Sequence, residues 1–442
     1  MDVIGKVIIF IMMGFLLIGA VSALFNDEKG FGKEFKEGIY AIGPIFLPVA
    51  GIMTIIPILS QLVTTYIAPV YAWIQADPSL AATTLIAGDV GGYQLAYETA
   101  GSHGAWIMAF AVSLTAGSTI IFSIPVGLAL VDKRDHKYMA LGVMSGLLAI
   151  PFAVFIITLI LQTGSVPLRS DISTTSPSST PFNLPLSDIL LNLVPLIIFV
   201  TVLAVGLRFF SRAMVRLFTT FGKVLDIVIK LALALSIVQY FTGIFDVFGK
   251  WPLAPFIADA EDQFRALEVA GYVGVMLAGA FPMVYAIRIW FAGPLESIGR
   301  RLGFSEVGAA GVLAAAANIL ALFRVVKFMP PRDKVLSIAF AVCAAFSFGD
   351  HLAFSANFQP NMVAPLIIGK LAGGVIAILL ALWLALPYTA VLEAKDRADG
   401  TIARDEYAPQ PINNHQENVV DQQEESSDNS RRPIPIATDT AH

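Results

Sequence analysis

Leu85-Ile-Ala-Gly-Asp-Val-Gly-Gly-Tyr93 and Phe346-Ser-Phe-Gly-Asp-His-Leu-Ala-Phe-Ser355 are polar, glycine-containing interruptions of otherwise apolar stretches, one in each half of the chain. Each carries an aspartate, Asp89 or Asp350, where a bilayer-spanning segment should not tolerate a carboxylate. A charge at that depth costs several kcal/mol, so it indicates a functional site. Paired interruptions in two halves of a membrane chain are typical of the binding site of a transporter.

The composition is that of an integral membrane protein. Of the 442 residues, 56% are hydrophobic and 14% are charged, and the mean hydropathy is +0.75. A soluble domain has about 25% charged residues, so an all-α polytopic membrane protein with about 9–11 membrane segments is predicted. The net charge of −5 gives no sign of nucleic-acid binding. Cys343 is the single cysteine, which excludes intrachain disulfides and thiolate metal clusters. Neither a cofactor nor a metal site is predicted.

The chain divides into a membrane part and a polar tail. Residues 1–390 form the predicted transmembrane transporter domain, and residues 391–442 are predicted to be a disordered, polar cytoplasmic tail. The loop 164–186 is rich in Ser, Thr and Pro and is predicted to be exposed. The segment 5–24 is long enough to span a bilayer and is preferred as a span over a signal peptide. The apolar segments lie at 5–24, 39–63, 78–97, 105–131, 138–162, 187–207, 224–248, 268–292, 307–323, 335–355 and 361–388.

An internal repeat is visible in the order of three sequence elements. Segments match in the same order: 81–89 with 309–318, 117–123 with 349–355, and 142–146 with 369–373. The last pair has the pattern Gly-x-x-x-Gly, which is typical of close helix packing. The matching order predicts two repeats, at about 39–162 and at about 268–388.

The distribution of basic residues orients the two copies. Lys and Arg cluster at 29–36, 133–137, 208–223, 288–301 and 324–334, whereas the loops 64–76, 98–104 and 356–360 have neither. The clusters can all face the cytoplasm, as the positive-inside rule requires, if 78–97 and 307–323 are re-entrant hairpins that enter from opposite sides. The two repeats are then inverted, with about nine full spans and the N-terminus outside.

The two aspartates are predicted to bind a cation. Gly91 and Gly92 follow Asp89 and let the backbone turn and approach a solute. The alternative for Asp89 is a carboxylate that caps a helix N-terminus. Asp350 is followed by His351, which could orient the carboxylate or carry a proton. The alternative for this pair is that it only satisfies a broken helix.

Hydroxyl and amide side chains complete the predicted site. Ser118, Thr119 and Ser123 match the second interruption in the repeat, and Asn318 matches Asp89. They could hold a small polar solute, although such groups in membrane helices often bond to nearby carbonyls or neighbouring helices. The predicted substrate-binding residues are Asp89, Ser118, Thr119, Ser123, Asn318, Asp350 and His351, and the predicted backbone breaks are Gly88, Gly91, Gly92, Gly117 and Gly349.

Other residues have structural explanations. Asp226 and Lys230 are spaced i,i+4 and are predicted to pair with each other. Tyr93 and Trp106, near the interruptions, could give cation–π contacts, with simple packing as the alternative. Nucleotide-binding, zinc-protease and serine-nucleophile motifs are missing from the sequence. Transport driven by ATP hydrolysis in this chain is therefore unsupported.

Five separated motifs carry a family resemblance: Ala87-Gly-Asp-Val-Gly-Gly-Tyr93, Ile120-Ile-Phe-Ser-Ile-Pro-Val126, Tyr138-Met-Ala-Leu-Gly-Val143, Gly349-Asp-His-Leu-Ala-Phe354 and Gly369-Lys-Leu371. In these motifs the chain resembles the EutH-type ethanolamine permeases, in collinear order over roughly 5–388. The resemblance implies a bacterial protein of ethanolamine utilisation that assists ethanolamine uptake across the cytoplasmic (inner) membrane. It does not extend to the tail.

The leading hypothesis is a permease that moves ethanolamine by alternating access at the two interruptions. Protonated ethanolamine is a small cation with a hydroxyl, which suits carboxylates flanked by hydroxyl and amide groups. The sequence leaves open whether such a permease is a facilitator or is coupled to protons or sodium, and whether it is a homo-oligomer. The predicted partners are ethanolamine and membrane lipids.

The sequence leaves three alternative functions open. One is a cation-coupled symporter of another small amine or polar metabolite, in which the carboxylates bind the coupling ion. Another is a membrane-embedded enzyme with Asp89, Asp350 and His351 as acid–base groups, although no enzymatic activity is predicted. A membrane scaffold for metabolic enzymes would leave the two aspartates unexplained.

Overall fold

The computed structural model describes residues 2–249, 253, 265–301, 303–403 and 407. This part of the chain is helical apart from one short antiparallel pair, β1 (Pro167–Leu168) with β2 (Thr180–Pro181), and the predicted all-α fold is confirmed. The α-helices are α1 (Asp2–Phe25), α2 (Gly30–Tyr40), α3 (Ile42–Leu62), α4 (Ala68–Trp73), α5 (Ser79–Leu85), α6 (Gly92–Thr99), α7 (His103–Val112), α8 (Ile124–Leu130), α9 (His136–Thr163), α10 (Leu186–Phe209), α11 (Ser211–Thr242), α12 (Arg265–Arg301), α13 (Glu306–Ala317), α14 (Ile319–Val325), α15 (Pro331–Ala344), α16 (Asp350–Phe358), α17 (Val363–Leu380) and α18 (Leu386–Ala398).

Several of these helices are long and apolar enough to cross a bilayer, which takes about 20 residues. Within the described residues seven helical stretches qualify: Gly5–Phe25, Gly30–Trp73, His103–Leu130, Lys133–Thr163, Leu186–Phe209, Arg265–Trp290 and Pro360–Ala398. The remaining two predicted full spans correspond to α11 and to the pair α15–α16. Asp226 and Lys230 of α11 form the predicted ion pair, with 2.6 Å between Oδ2 and Nζ.

The predicted span 335–355 is not one continuous helix. α15 ends at Ala344, and the backbone leaves the helical conformation before α16 begins at Asp350. Phe346 has a positive φ of 61°, and the N–H of Phe348 donates to the carbonyl of Ala316 at the end of α13 (3.0 Å). The sequence predicted an interruption at Gly349, and in the structure the non-helical segment covers 345–349. The bond from Phe348 to another helix replaces the regular hydrogen bonds within one helix.

α9 lies at the centre of the bundle and packs closely against α15 and α17. A Cβ at Gly142 would lie 2.8 Å from the carbonyl oxygen of Val335 in α15, and a Cβ at Gly373 would lie 2.5 Å from the Cβ of Ala153 in α9. These glycines therefore allow helix backbones to approach each other, as their spacing predicts.

The two ends of α9 mark the two ends of the bundle. At its N-terminal end, Asp135 accepts a hydrogen bond from Lys334 of α15 (2.6 Å). At its C-terminal end, Gln162 accepts one from the backbone N–H of Leu184, just before α10 (2.8 Å). α15 therefore begins at the same end as α9, and α10 begins at the opposite end.

The two predicted hairpins are helix–break–helix pairs that open at these opposite ends. Before α5–α6, the N–H of Asp77 donates to Asn192, in the first part of α10 (2.7 Å). Before α13–α14, the N–H of Ser305 donates to Asp333, in the first turn of α15 (2.7 Å). With a rise of about 1.5 Å per residue, none of these four helices is long enough to cross a core of about 30 Å. The inverted repeat as a whole stays a prediction.

Two other segments differ from their predicted boundaries or exposure. α18 continues past residue 391, the predicted start of the tail, because Asp396 is buried and pairs with Lys137 and Tyr138 of α9. Residues 404–442, apart from 407, lie outside the described residues, and so does most of the predicted tail. In the loop 164–186 the prediction of exposure was wrong in part: Val166 and Leu168 are fully buried, since these apolar side chains pack into the core.

Candidate functional site

Asp89 lies in the short 3₁₀ turn Gly88–Val90 that separates α5 from α6. Gly91 follows with a φ of 97°, a conformation that glycine adopts at little cost. One carboxylate oxygen of Asp89, Oδ1, is buried and has no hydrogen-bond partner among the described residues. Gly91, rather than Asp89, occupies the N-cap position of α6, so Asp89 does not cap this helix from the usual position. A buried polar atom without a partner destabilises a protein by about 1–3 kcal/mol, which a bound ligand would offset.

Asp350 is the first residue of α16, at the second break. Its side chain is half-buried and interacts electrostatically with Asp89, since α16 packs against the turn that carries Asp89. The N-terminal end of a helix favours a negative charge, so the fold stabilises a carboxylate here. The structure thus brings the two predicted aspartates together from different halves of the chain.

His351 is buried between a serine and a lysine. Its Nδ1 lies 2.9 Å from Nζ of Lys370, and its Nε2 lies 3.0 Å from Oγ of Ser118. When Lys370 is an ammonium group it is a donor only, and in that state Nδ1 accepts and Nε2–H donates to Ser118. Ser118 in turn donates to the carbonyl of Ser113 (3.1 Å). The imidazole orientation is therefore fixed by a chain of hydrogen bonds that begins at Lys370.

Lys370, in α17, is the functional candidate that the sequence reasoning missed. It is 1% exposed, and its Nζ also donates to the carbonyl of Leu114 (2.6 Å). Gly369-Lys370-Leu371 was used only as a family motif. The signal was nevertheless present, because a lysine in the middle of an apolar helix meets the same criterion that singled out Asp89 and Asp350.

The remaining predicted polar residues bond to the protein itself. The hydroxyl of Thr119 donates to the carbonyl of Val342 (2.9 Å), and that of Ser123 donates to the carbonyl of Ser118 (3.4 Å). Asn318 accepts from the N–H of Leu320 and caps α14 (2.9 Å). The hydroxyl oxygens keep acceptor capacity, but the bonds to carbonyls and neighbouring helices are those of the alternative interpretation.

The aromatic residues beside the first break pack on one another. The ring of Tyr93 lies 5.0 Å from that of Trp106, 4.6 Å from that of Phe110 and 5.7 Å from that of Phe358. The Tyr93 hydroxyl accepts a hydrogen bond from Gln359 (2.9 Å). These rings are buried against each other, so packing explains Tyr93 and Trp106 without a cation.

Each hairpin break contacts a glycine of a neighbouring helix. A Cβ at Gly117 would collide with the carbonyl of Ile86, and a Cβ at Gly349 would collide with the carbonyl of Ala317. Gly117 and Gly349 are the two positions that the sequence repeat aligns. Gly117 is the last residue of the first of two π-helical turns that link α7 to α8, whereas Gly349 lies at the full break before α16. The other predicted breaks, Gly88 and Gly92, are similarly crowded, with 2.5 Å from a Cβ at Gly88 to Ser113 Oγ and 2.6 Å from one at Gly92 to the carbonyl oxygen of Ala87.

Comparison with known proteins identifies the family of the chain. The family model "Ethanolamine utilisation protein, EutH" matches residues 4–384. The chain belongs to the EutH family. A protein of Listeria monocytogenes named "Probable ethanolamine permease EutH" is 37% identical over 383 residues, which are 86% of this chain and 94% of the relative. The Escherichia coli protein of the same name is 36% identical over 405 residues, with 86% and 95% covered. No solved structure matches the chain.

Membership in the EutH family agrees with the fold. The helical stretches able to cross a membrane and the permease names of the relatives identify a multi-pass protein of the cytoplasmic membrane. These names are those of a transporter family rather than of an enzyme family. A relative from Bacillus subtilis, YxeR, is 34% identical over 382 residues, with 86% of this chain and 95% of YxeR covered.

Proposed function

We propose that this protein is a permease that moves ethanolamine across the cytoplasmic membrane. The observation that carries the proposal is the juxtaposition of Asp89 and Asp350, two carboxylates on two backbone breaks inside a membrane protein. Two like charges in a low-dielectric interior repel each other, and a bound cation relieves that repulsion. The identity of the substrate, ethanolamine, is taken from the names of the relatives.

Ethanolamine has one group for each part of the site. Its amine resembles that of lysine, whose pKa is about 10.4, so it is mostly an ammonium ion at neutral pH. The ammonium would bind Asp89 and Asp350 through charge-assisted hydrogen bonds. The substrate hydroxyl would bind among Ser118, His351, Thr119 and Ser123.

Transport would proceed by alternating access. The two hairpins open at opposite ends of α9, and the break of each lies against a glycine, Gly117 or Gly349, next to the polar residues of the site. Movement of α5–α6 would open the aspartates to one side of the membrane, and movement of α13–α14 would open them to the other. Discontinuous helices at the binding site are typical of such transporters.

The test is uptake of radiolabelled ethanolamine by proteoliposomes containing purified protein. Asp350→Asn removes the charge and keeps the volume, and hydrogen bonds to charged groups contribute about 1.5–3 kcal/mol. The expected result is an affinity about ten- to hundredfold weaker. Asp226→Asn, at the exposed pair with Lys230, is the matched control and should leave affinity unchanged. A well-folded Asp350→Asn protein with unchanged affinity and rate would remove Asp350 from the site.

One observation favours a second candidate, a cation-coupled symporter of a small amine. Gln94 is fully buried, and both polar atoms of its side-chain amide are without a hydrogen-bond partner among the described residues, as is the hydroxyl of Ser355. Oxygen atoms of this kind would suit a hard cation such as sodium. A sodium or proton gradient imposed on the same proteoliposomes decides between the two: uphill accumulation of ethanolamine favours a symporter, and equilibration without a gradient favours a facilitator.

A further inference from the structure

Lys370 is a buried lysine whose side chain contacts no anion among the described residues. Its Nζ has two hydrogen-bond acceptors, the carbonyl of Leu114 and Nδ1 of His351, and both are uncharged groups. In the described part of the chain no carboxylate lies within 4.0 Å of it. A buried charge without a partner strongly destabilises a fold, so the position of this lysine needs a functional or a structural explanation.

Lys370 lies close to the first break without touching its aspartate. It interacts electrostatically with Asp89. The link is also geometric, because Leu114, whose carbonyl binds Lys370, has its Cδ2 atom 3.0 Å from the position of a Cβ at Gly88. Leu114 and His351 thus hold the Lys370 amine near Asp89 rather than in contact with it.

We infer that Lys370 is a resident cation that weakens the hold of Asp89 and Asp350 on a substrate ammonium, so that bound substrate can leave. This inference rests on the proposed function. Two carboxylates alone would bind a cation too tightly for fast turnover, and a transport site must bind strongly enough to load and weakly enough to release. Lys370 is therefore a positioning residue that acts through the field at the aspartates.

The charge balance also limits the substrate class. With both aspartates and Lys370 ionised, the three groups carry one net negative charge, and one monovalent ammonium neutralises it. A neutral alcohol would leave this charge uncompensated, and a diamine carrying two charges would exceed it. The site therefore favours amines that carry a single positive charge.

A structural role is the competing explanation for Lys370. Leu114 belongs to the π-helical turn Ser113–Gly117, and a donor from α17 satisfies its carbonyl. Lys370→Gln separates the two roles, since an amide keeps N–H donors for Leu114 and His351 but has no charge. Lys370→Met removes both, and Lys370→Arg keeps the charge.

The experiment measures equilibrium binding of ethanolamine and its efflux rate from proteoliposomes for the full chain and these variants. We expect Lys370→Gln and Lys370→Met to bind ethanolamine about tenfold more tightly, because a like charge disfavours a bound cation, and to release it more slowly by a similar factor. Lys370→Arg should return both values towards those of the unmodified protein. Lys230→Gln, on the exposed face of α11, is the matched control.

Each outcome bears on one proposal. Unchanged or weaker binding by a folded Lys370→Gln protein overturns this inference while ethanolamine binding by the unmodified protein stands. If Lys370→Arg folds and both uncharged variants fail to fold, Lys370 is a structural cation, and this result also overturns the inference. Absence of ethanolamine binding by the unmodified protein, with every variant folded, overturns the proposed function itself.

Discussion

The hairpin α5–α6 carries Asp89 at its tip, and the hairpin α13–α14 carries Asn318. Both tips contact a glycine of a neighbouring helix through a backbone carbonyl, that of Ile86 or that of Ala317. The backbone arrangement is thus similar, whereas the polar side chains have different surroundings.

This difference in hydrogen bonding gives the two tip residues different expected roles, structural for Asn318 and ligand-binding for Asp89. Asn318 accepts a hydrogen bond from the N–H of Leu320 and caps the helix that follows it. Asp89 leaves one buried oxygen without a partner among the described residues. A residue whose hydrogen bonds are complete stabilises its own hairpin, whereas a buried carboxylate oxygen left without one is available to a ligand.

The first prediction tests whether the hairpins open on opposite sides of the membrane. Single cysteines replace exposed Gln75, before the first hairpin, and Phe328, after the second, in a Cys343→Ala background. An impermeant thiol reagent applied to intact cells should label position 75, and position 328 should react only after permeabilisation. Labelling of both positions from the same side would contradict the inverted arrangement.

Both hairpins could be located from sequence because glycine and polar residues interrupt apolar stretches there. The break at 345–349 could not be located to the residue, because Ala345, Phe346 and Phe348 are apolar and fit a continuous helix. It depends on a hydrogen bond to Ala316, a residue distant in sequence. The cap formed by Asn318 was missed for a related reason, since it requires the starting residue of α14 to be known.

The second prediction concerns the tip with the unpaired oxygen. Asp89→Asn should weaken ethanolamine affinity about tenfold, because a charge-assisted hydrogen bond becomes a neutral one. The melting temperature of the purified protein should not fall, since the carboxylate caps no helix. Binding and thermal unfolding are measured on the same preparation. Loss of stability with unchanged affinity would make Asp89 a structural residue like Asn318.

The third prediction concerns the tip with the capping amide. Asn318→Ala should lower the free energy of unfolding by about 1 kcal/mol, the usual cost of a lost cap. Affinity should change little, because the amide oxygen already binds Leu320. Thermal unfolding and ethanolamine binding again provide the two measurements. A large loss of affinity at full stability would return Asn318 to the substrate site, as the sequence repeat predicts.

The continuous helical stretch Pro360–Ala398 has 39 residues and is about 58 Å long at about 1.5 Å per residue. Near one end Asn361 donates to the carbonyl of Pro167 (2.8 Å), and near the other Asp396 accepts from Tyr138 of α9 (2.6 Å). Between these anchors Gly373 packs directly on α9. In the proposed transport cycle, α9 and this stretch would form the stationary frame of the protein. The charge of Lys370 belongs to that frame, and the two hairpin tips would be the parts that move past it.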